Sequence, residues 1–165
     1  MAEVILAARL AEKGIDAAVS SVGTLGWAER GATPRAVEVM DELGLDLTGH
    51  RSRRIDPSHL DVDLVLAMTR DHAGAAIARN DSVRSAVFLP GELLRLLRGI
   101  AGEGVPAAGG VVERIRMVGA ARSSLIIGRA SDEVADPAGE SIDVYRATAA
   151  RLDRDLTDLA AALAA

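Results

Sequence analysis

Residues 61–89, DVDLVLAMTRDHAGAAIARNDSVRSAVFL, decide the fold class. The opening DVDLVLAM (61–68) is a near-continuous apolar run with β-branched residues, which predicts a strand covered on both faces of a parallel sheet. Residues 70–79 read as a helix, and RSAVFL (84–89) as the next short strand. A strand, a helix and a second strand at this spacing form a βαβ unit, so the chain is expected to be α/β.

Upstream, residues 1–14 predict a mostly buried helix, because Val4, Ile5, Leu6, Ala8, Leu10 and Ala11 leave almost no polar face, and Gly14 supplies a stop. AAVSSV (17–22) reads as a short strand. Thr33-Pro34 opens a second helix with an N-cap and a proline in its first turn, and Ala36, Val37, Met40 and Leu43 follow at helical spacing until Gly44.

Downstream, residues 57–60 suit a turn or a short helical piece, and 90–99 a helix with Leu93, Leu94, Leu96 and Leu97 as its apolar content. GIAGEGVPAAGG (99–110) has the glycine and proline density of a flexible surface loop and reads as an insertion. Residues 111–121 predict a helix, 123–129 carry no decisive pattern, and SDEVADPAG (131–139) is an acidic loop with Asp136-Pro137 as a turn initiator. From 141 to about 163, Tyr145, Ala149, Leu152, Leu156, Leu159 and Leu163 recur at alternating steps of four and three, with Arg and Asp on the other face. No internal repeat is present.

A chain of 165 residues suits a single domain, 1–165, with a core of its own. Its 49% hydrophobic and 26% charged residues suit a soluble globular protein, and no apolar run has the length of a membrane span. The formal net charge of −5 gives no overall attraction for nucleic acid or an anionic membrane. There is no cysteine, so these residues form no disulfide, thiolate metal site or cysteine nucleophile. The three histidines are scattered without ligand spacing, so no metal is expected. No targeting pattern is visible, and a cytoplasmic location is expected.

Two segments carry candidate chemistry. The turn-rich GTLGW (23–27) holds the only tryptophan, Trp27, which reads either as a hydrophobic plug or as a flat wall beside a binding cleft. GHRSRR (49–54) is the most basic patch, able to hold an anion or to pair with nearby carboxylates. Within it, His50 reads as a packed structural histidine, with a chemical role as the lesser alternative.

Taken together, Ser21-Val22-Gly23-Thr24 with Trp27, Pro34-Arg35-Ala36, Gly49-His50-Arg51-Ser52-Arg53, Asp63-Leu64-Val65-Leu66-Ala67-Met68 and the late Asp136-Pro137 resemble the low-molecular-weight protein tyrosine phosphatase family. The resemblance covers nearly the whole chain except the insertion, about residues 99–130. It implies a three-layer α/β sandwich with a four-stranded parallel sheet. It also implies a Cys-x5-Arg phosphate loop, followed by Ser-Pro, between the first strand and the first helix. In such a site, backbone N–H groups and the helix N-terminus hold phosphate and lower the thiol pKa, and the Arg grips the equatorial oxygens. A carboxylic acid protonates the leaving oxygen and then activates water against the phosphocysteine. By resemblance, Asp136 is that acid, Trp27 walls the substrate cleft, and Ser21 braces the phosphate loop. The partner implied is a phosphorylated protein or small phosphomonoester, and no metal or organic cofactor is needed.

The chain departs from the family in two places. Met1-Ala2-Glu3 corresponds to the segment just after the phosphate loop, so the first strand, the nucleophile and the Arg are expected to be missing, and these residues alone are expected to be inactive. Either Met1 is an internal methionine of an active phosphatase, or the chain is a noncatalytic relative that binds phosphate or a partner. The first is favoured, because losing an interior strand leaves unpaired backbone groups and an exposed apolar face, so the chain by itself is expected to be poorly stable. An arsenate reductase on this scaffold needs further cysteines and is disfavoured. The second departure is Ala138-Gly139, which stands where family members known for phosphotyrosine carry aromatics, leaving one wall of a phenol slot missing.

Overall fold

The computed structural model describes residues 1–25, 29–102, 110–122 and 127–165. Among these the helices are α1 (Ala2–Glu12), α2 (Pro34–Glu42), α3 (Arg70–Arg79), α4 (Pro90–Gly102), α5 (Gly110–Ala121) and α6 (Ile142–Ala164), and the strands are β1 (Val65–Leu66) and β2 (Val87–Phe88). Short 3-10 turns span Pro57–Leu60, Asp81–Ser85 and Ala130–Asp132. The chain divides into two units: Met1–Ile55 with Val134–Thr157, and Asp56–Glu133 with Asp158–Ala165.

In the first unit, the helix ends follow from local chemistry. The Thr33 side chain accepts from the Ala36 N–H, and Pro34 occupies the first turn of α2, where no N–H is needed. Both α1 and α2 stop at a glycine in the left-handed region, Gly14 at φ +70° and Gly44 at φ +72°. Ile15 N–H then bonds Leu10 C=O, and Leu45 N–H bonds Met40 C=O, each satisfying a carbonyl the helix would otherwise leave open. Of α1, only Ile5 and Leu10 are buried, so the expectation of a mostly buried helix is corrected. Four of its apolar positions are alanines, and apolar composition does not require burial of every face.

The strand expected over 17–22 does not form. The nearest pairing is a single parallel bridge, Gly23 with Arg54, made by Gly23 N–H to Arg53 C=O and Ile55 N–H to Gly23 C=O. A strand exists only where a neighbour completes its ladder, and residues 17–22 have no ladder partner among the described residues.

The second unit contains the βαβ unit read from residues 61–89. β1 and β2 are parallel, with Val65 opposite Val87 and Leu66 opposite Phe88, and α3 crosses between them. Its N-cap, Thr69, accepts from the His72 N–H. The strands are shorter than the sequence suggests. Of residues 61–68 only Val65 and Leu66 pair, both half-buried, and residues 84–85 belong to the 3-10 turn. Asn80 caps that turn by accepting from the Ser82 N–H, which competes with extension of the strand. The sheet formed by the described residues is two-stranded.

Two further boundaries differ from the sequence reading. α4 runs on to Gly102, three residues beyond its expected end at 99, while residues 103–109 lie outside those described. The acidic segment 131–139 opens inside a 3-10 turn. α6 matches its expected span, and Tyr145, Ala149, Leu152, Leu156, Leu159 and Leu163 are all buried.

Candidate active site

Ser21 sits at the centre of one cluster in the first unit. Its Oγ–H donates to Glu3 Oε2, and His50 Nδ1 lies 3.3 Å from that same oxygen. Arg53 Nη2 donates to the Ser21 C=O at 3.2 Å. Glu3 stands in the first turn of α1, where a negative charge is favoured by the helix dipole. With its proton committed to Glu3, the Ser21 oxygen keeps lone pairs that can accept an N–H, the property required of a loop brace. His50 is held as a partner of Glu3, in agreement with its structural reading.

Described residues on either side of 26–28 are tied to the backbone of 52–55. Gly23 is bridged to the Arg53–Ile55 backbone. Glu29 N–H donates to Ser52 C=O at 2.7 Å, Ser52 N–H to Arg30 C=O at 2.8 Å, and Arg30 N–H to Ser52 Oγ at 3.1 Å. Glu29 adopts φ +58°, the left-handed region disfavoured for a side chain with a Cβ. Trp27 itself lies outside the described residues, so its role as a wall stays an expectation.

Within the basic patch, His50 pairs with the Glu3 carboxylate, while two of the arginines are spent on backbone carbonyls. Arg51 Nη1 donates to the carbonyls of Thr48 (3.1 Å) and His50 (2.7 Å), and Arg53 to that of Ser21. These arginines tie backbone to backbone.

Asp136 is exposed, and its Oδ1 accepts from the Ala138 N–H at 3.0 Å, leaving Oδ2 unengaged among the described residues. The turn closes with Glu140 N–H to Pro137 C=O at 3.0 Å, with Gly139 at φ +88°. Its exit is held to α2, because Arg35 Nη1 donates to Glu140 C=O at 3.0 Å. Thr33 Oγ1 donates to the Tyr145 hydroxyl at 3.1 Å, and Arg146 grips both oxygens of Glu42 at 2.9 and 2.6 Å. The hydrogen bonds from Arg146 hold the Glu42 carboxyl below its usual range, and Glu42 raises the guanidinium in turn. α2 is thus the platform for the Asp136 turn. An exposed carboxyl with one fixed and one open oxygen suits proton transfer to a bound leaving group.

The contacts of Ser21 and those of Asp136 share no residue. Sequence reasoning missed Glu3, which no local spacing connects to Ser21 or His50; only its first-turn position on α1 marked it. It also missed the side-chain role of Arg35, noted only as part of a motif. Among the described residues no group of three or more His, Asp or Glu side chains could hold a metal ion. None of their helices is long and apolar enough to cross a membrane.

Comparison with known proteins bears on this arrangement. No curated protein matches the chain. Among solved structures, a YwlE mutant from Bacillus subtilis is 27% identical, with TM-score 0.67 over 97% of this chain and 86% of that one. A low molecular weight protein tyrosine phosphatase from T. tengcongensis is 25% identical, with TM-score 0.66 over 96% and 86%. The YwlE arginine phosphatase from Geobacillus stearothermophilus is 25% identical, with TM-score 0.63 over 96% and 82%. The family model for low molecular weight phosphotyrosine protein phosphatase matches residues 1–95, more than half of the sequence, and the chain belongs to that family.

Proposed function

We propose that this protein serves phosphomonoester hydrolysis through a phosphocysteine intermediate, with Asp136 as general acid, Trp27 as cleft wall and Ser21 as brace of the phosphate loop. The observation that carries this reading is the Asp136 turn, closed on itself, tied by Arg35 to α2 and offering an Oδ2 unengaged among the described residues. The reading includes the family's single domain over 1–165, its four-stranded parallel sheet between helical layers, and a cytoplasmic location. The substrate is a phosphorylated protein or small phosphomonoester, and neither nucleic acid nor membrane is a partner.

The chemistry divides between groups present here and those of the phosphate loop, which are not among these residues. Attack on phosphorus needs a thiolate, and the 165 residues hold no cysteine. Asp136 delivers its proton to the leaving atom and, once ionised, takes one from the water that opens the phosphocysteine. By themselves, these residues are therefore inactive on p-nitrophenyl phosphate.

A second reading concerns the leaving group. Ala138 and Gly139, both exposed, follow the acid where an aromatic wall would flank a phenol. One similar structure is described as an arginine phosphatase. A phosphorylated arginine has no phenol ring to clamp, so it is the favoured alternative to phosphotyrosine.

The deciding measurement is the intact mass of the protein expressed from its own gene in its own host. A mass larger by about 2 kDa, the size of a strand of roughly 5–6 residues plus a phosphate loop and its flanks, supports the catalytic reading. That longer protein is then assayed on p-nitrophenyl phosphate and on phosphoarginine, and Asp136→Asn should lower kcat by about 10²–10⁴. A mass equal to that of residues 1–165 overturns the catalytic reading in favour of a noncatalytic phosphate- or partner-binding protein.

A further inference from the structure

Many arginines of this chain stand against acids. Arg9, Arg95, Arg98 and Arg146 each hold an Asp or Glu oxygen at 2.6–3.0 Å. A group in the first unit departs from this pattern. Arg35, Arg51 and Arg53 donate to backbone carbonyls, and Arg54 is exposed with no hydrogen-bond or ion-pair partner among the described residues. None of the four has a carboxylate partner there. A carbonyl is a dipole without net charge, so it satisfies an N–H and leaves the positive charge uncompensated. A guanidinium with five donors also keeps others for a second acceptor.

The segments bearing these side chains are tied together. Arg54 is bridged to Gly23, Ser52 exchanges hydrogen bonds with Glu29 and Arg30, and Arg53 Nη2 reaches the Ser21 C=O at 3.2 Å. A Cβ added to Gly31 would stand 3.9 Å from Arg51 Nη1, so that guanidinium lies beside the same loop. Arg35, at the start of α2, holds the exit of the Asp136 turn. Over residues 21–35 and 49–55 the sequence holds five arginines and a single acid, Glu29, in a chain of formal net charge −5. Gly26, Trp27 and Ala28, which lie outside the described residues, add no charge.

Clustered guanidinium groups repel one another and attract an anion, and each planar fork matches a carboxylate. An extended polyanion, a nucleic acid or an anionic membrane, would also meet the negative charge carried by the rest of the protein, whereas a short acidic segment touches the arginines alone. We propose that these arginines receive acidic side chains of a protein substrate, so that the phosphorylated residue acted on is flanked by Asp or Glu. The proposal rests on the phosphatase reading, because Ser21 and Trp27 belong to the same loops. It selects a phosphorylated protein over a small phosphomonoester.

The test is fluorescence anisotropy on the protein expressed from its own gene in its own host, with a fluorescein-labelled, unphosphorylated peptide of alternating Glu and Gly. The control peptide carries Gln in place of Glu. No turnover is required, so the result is independent of the nucleophile, and the mass and p-nitrophenyl phosphate measurements decide the phosphatase reading separately. Saturable binding of the Glu peptide is expected, weakening about tenfold between about 0.05 and 0.3 M NaCl. Arg54→Glu should weaken it about fivefold to tenfold, while Arg79→Glu, the same change of net charge at an exposed position of α3, should stay within about twofold of the natural protein. Arg54→Gln, which removes the charge without reversing it, covers a failure of the Glu variant to fold and should show a smaller loss in the same direction. Equal binding of the Gln peptide overturns the proposal, as does an equal loss in Arg54→Glu and Arg79→Glu. Tighter binding of polyuridine RNA or of phosphatidylserine vesicles than of the Glu peptide overturns it as well.

Discussion

The two units differ in how deeply their arginine pairs are buried. In the first, Arg146 and Glu42 pair with both side chains more than two-fifths exposed, while Arg35, Arg51 and Arg53 spend N–H groups on backbone carbonyls. In the second, Arg122 lies 8% exposed beside Glu92 at 4%, and its guanidinium carbon stands 4.6 Å from the centre of the Phe88 ring. Water screens the first kind of pair and leaves it worth little, but a buried pair that loses one member strands a charge. The difference teaches where stability and chemistry reside. The first unit holds its candidate site with replaceable surface ties, and the second is locked by a few internal charges and close approaches.

The strongest way to break this contrast is Arg122→Met. It leaves Glu92 buried without its cation and takes donors from the carbonyls of Val87 and Arg84, so a loss of about 3–5 kcal/mol is expected in urea unfolding. A loss below 1 kcal/mol would show that the buried pair does not lock the unit.

Gly119→Ala comes next. A Cβ at Gly119 would stand 2.1 Å from the Ser85 carbonyl oxygen, an approach no side chain survives without backbone movement. About 2–3 kcal/mol should be lost, with α5 displaced from the 3-10 turn at Asp81–Ser85. Unchanged unfolding in urea would mean that the two segments are not in close contact.

A smaller effect is expected from pH. Burial pushes the Asp132 carboxyl up, but the hydrogen bonds from Arg95 and the Arg129 N–H outweigh it and leave the group below its usual range. A depressed carboxyl contributes its stability above the unfolded-state pKa, and that contribution is lost as pH falls through the folded value. Acid titration of stability should therefore be steeper in the natural protein than in Asp132→Asn below about pH 4. Parallel curves would contradict the assignment.

The smallest effect sharpens the other side of the comparison. Glu42→Gln removes an exposed partner of Arg146 and should leave the melting midpoint unchanged within error at physiological salt. A clear drop would mean that α2 depends on that pair to hold the Asp136 turn.

Helix positions were legible because caps and periodicity are local. Thr33-Pro34 marked the start of α2, Gly14 and Gly44 marked two stops, and the alternating steps from Tyr145 to Leu163 marked the buried face of α6. The strands were legible in place and not in length. Residues 61–68 and 84–89 have the composition of strands, yet only two residues of each pair, because a ladder ends where its neighbour ends. Residues 17–22 make the same point more sharply, since suitable side chains alone produced no strand.

For the candidate site, the sequence by itself determined Asp136 before Pro137, the serine at 21, the absence of any cysteine and the order of motifs that points to the family. These are properties of residue identity and short spacing, which need no third dimension. Only the tertiary structure decided that Glu3 serves both Ser21 and His50 and that Arg35 holds the acid's turn. Those facts join residues 18, 47 and 105 positions apart. Pairing and burial at such separations depend on how helices and loops pack, and no local pattern encodes them.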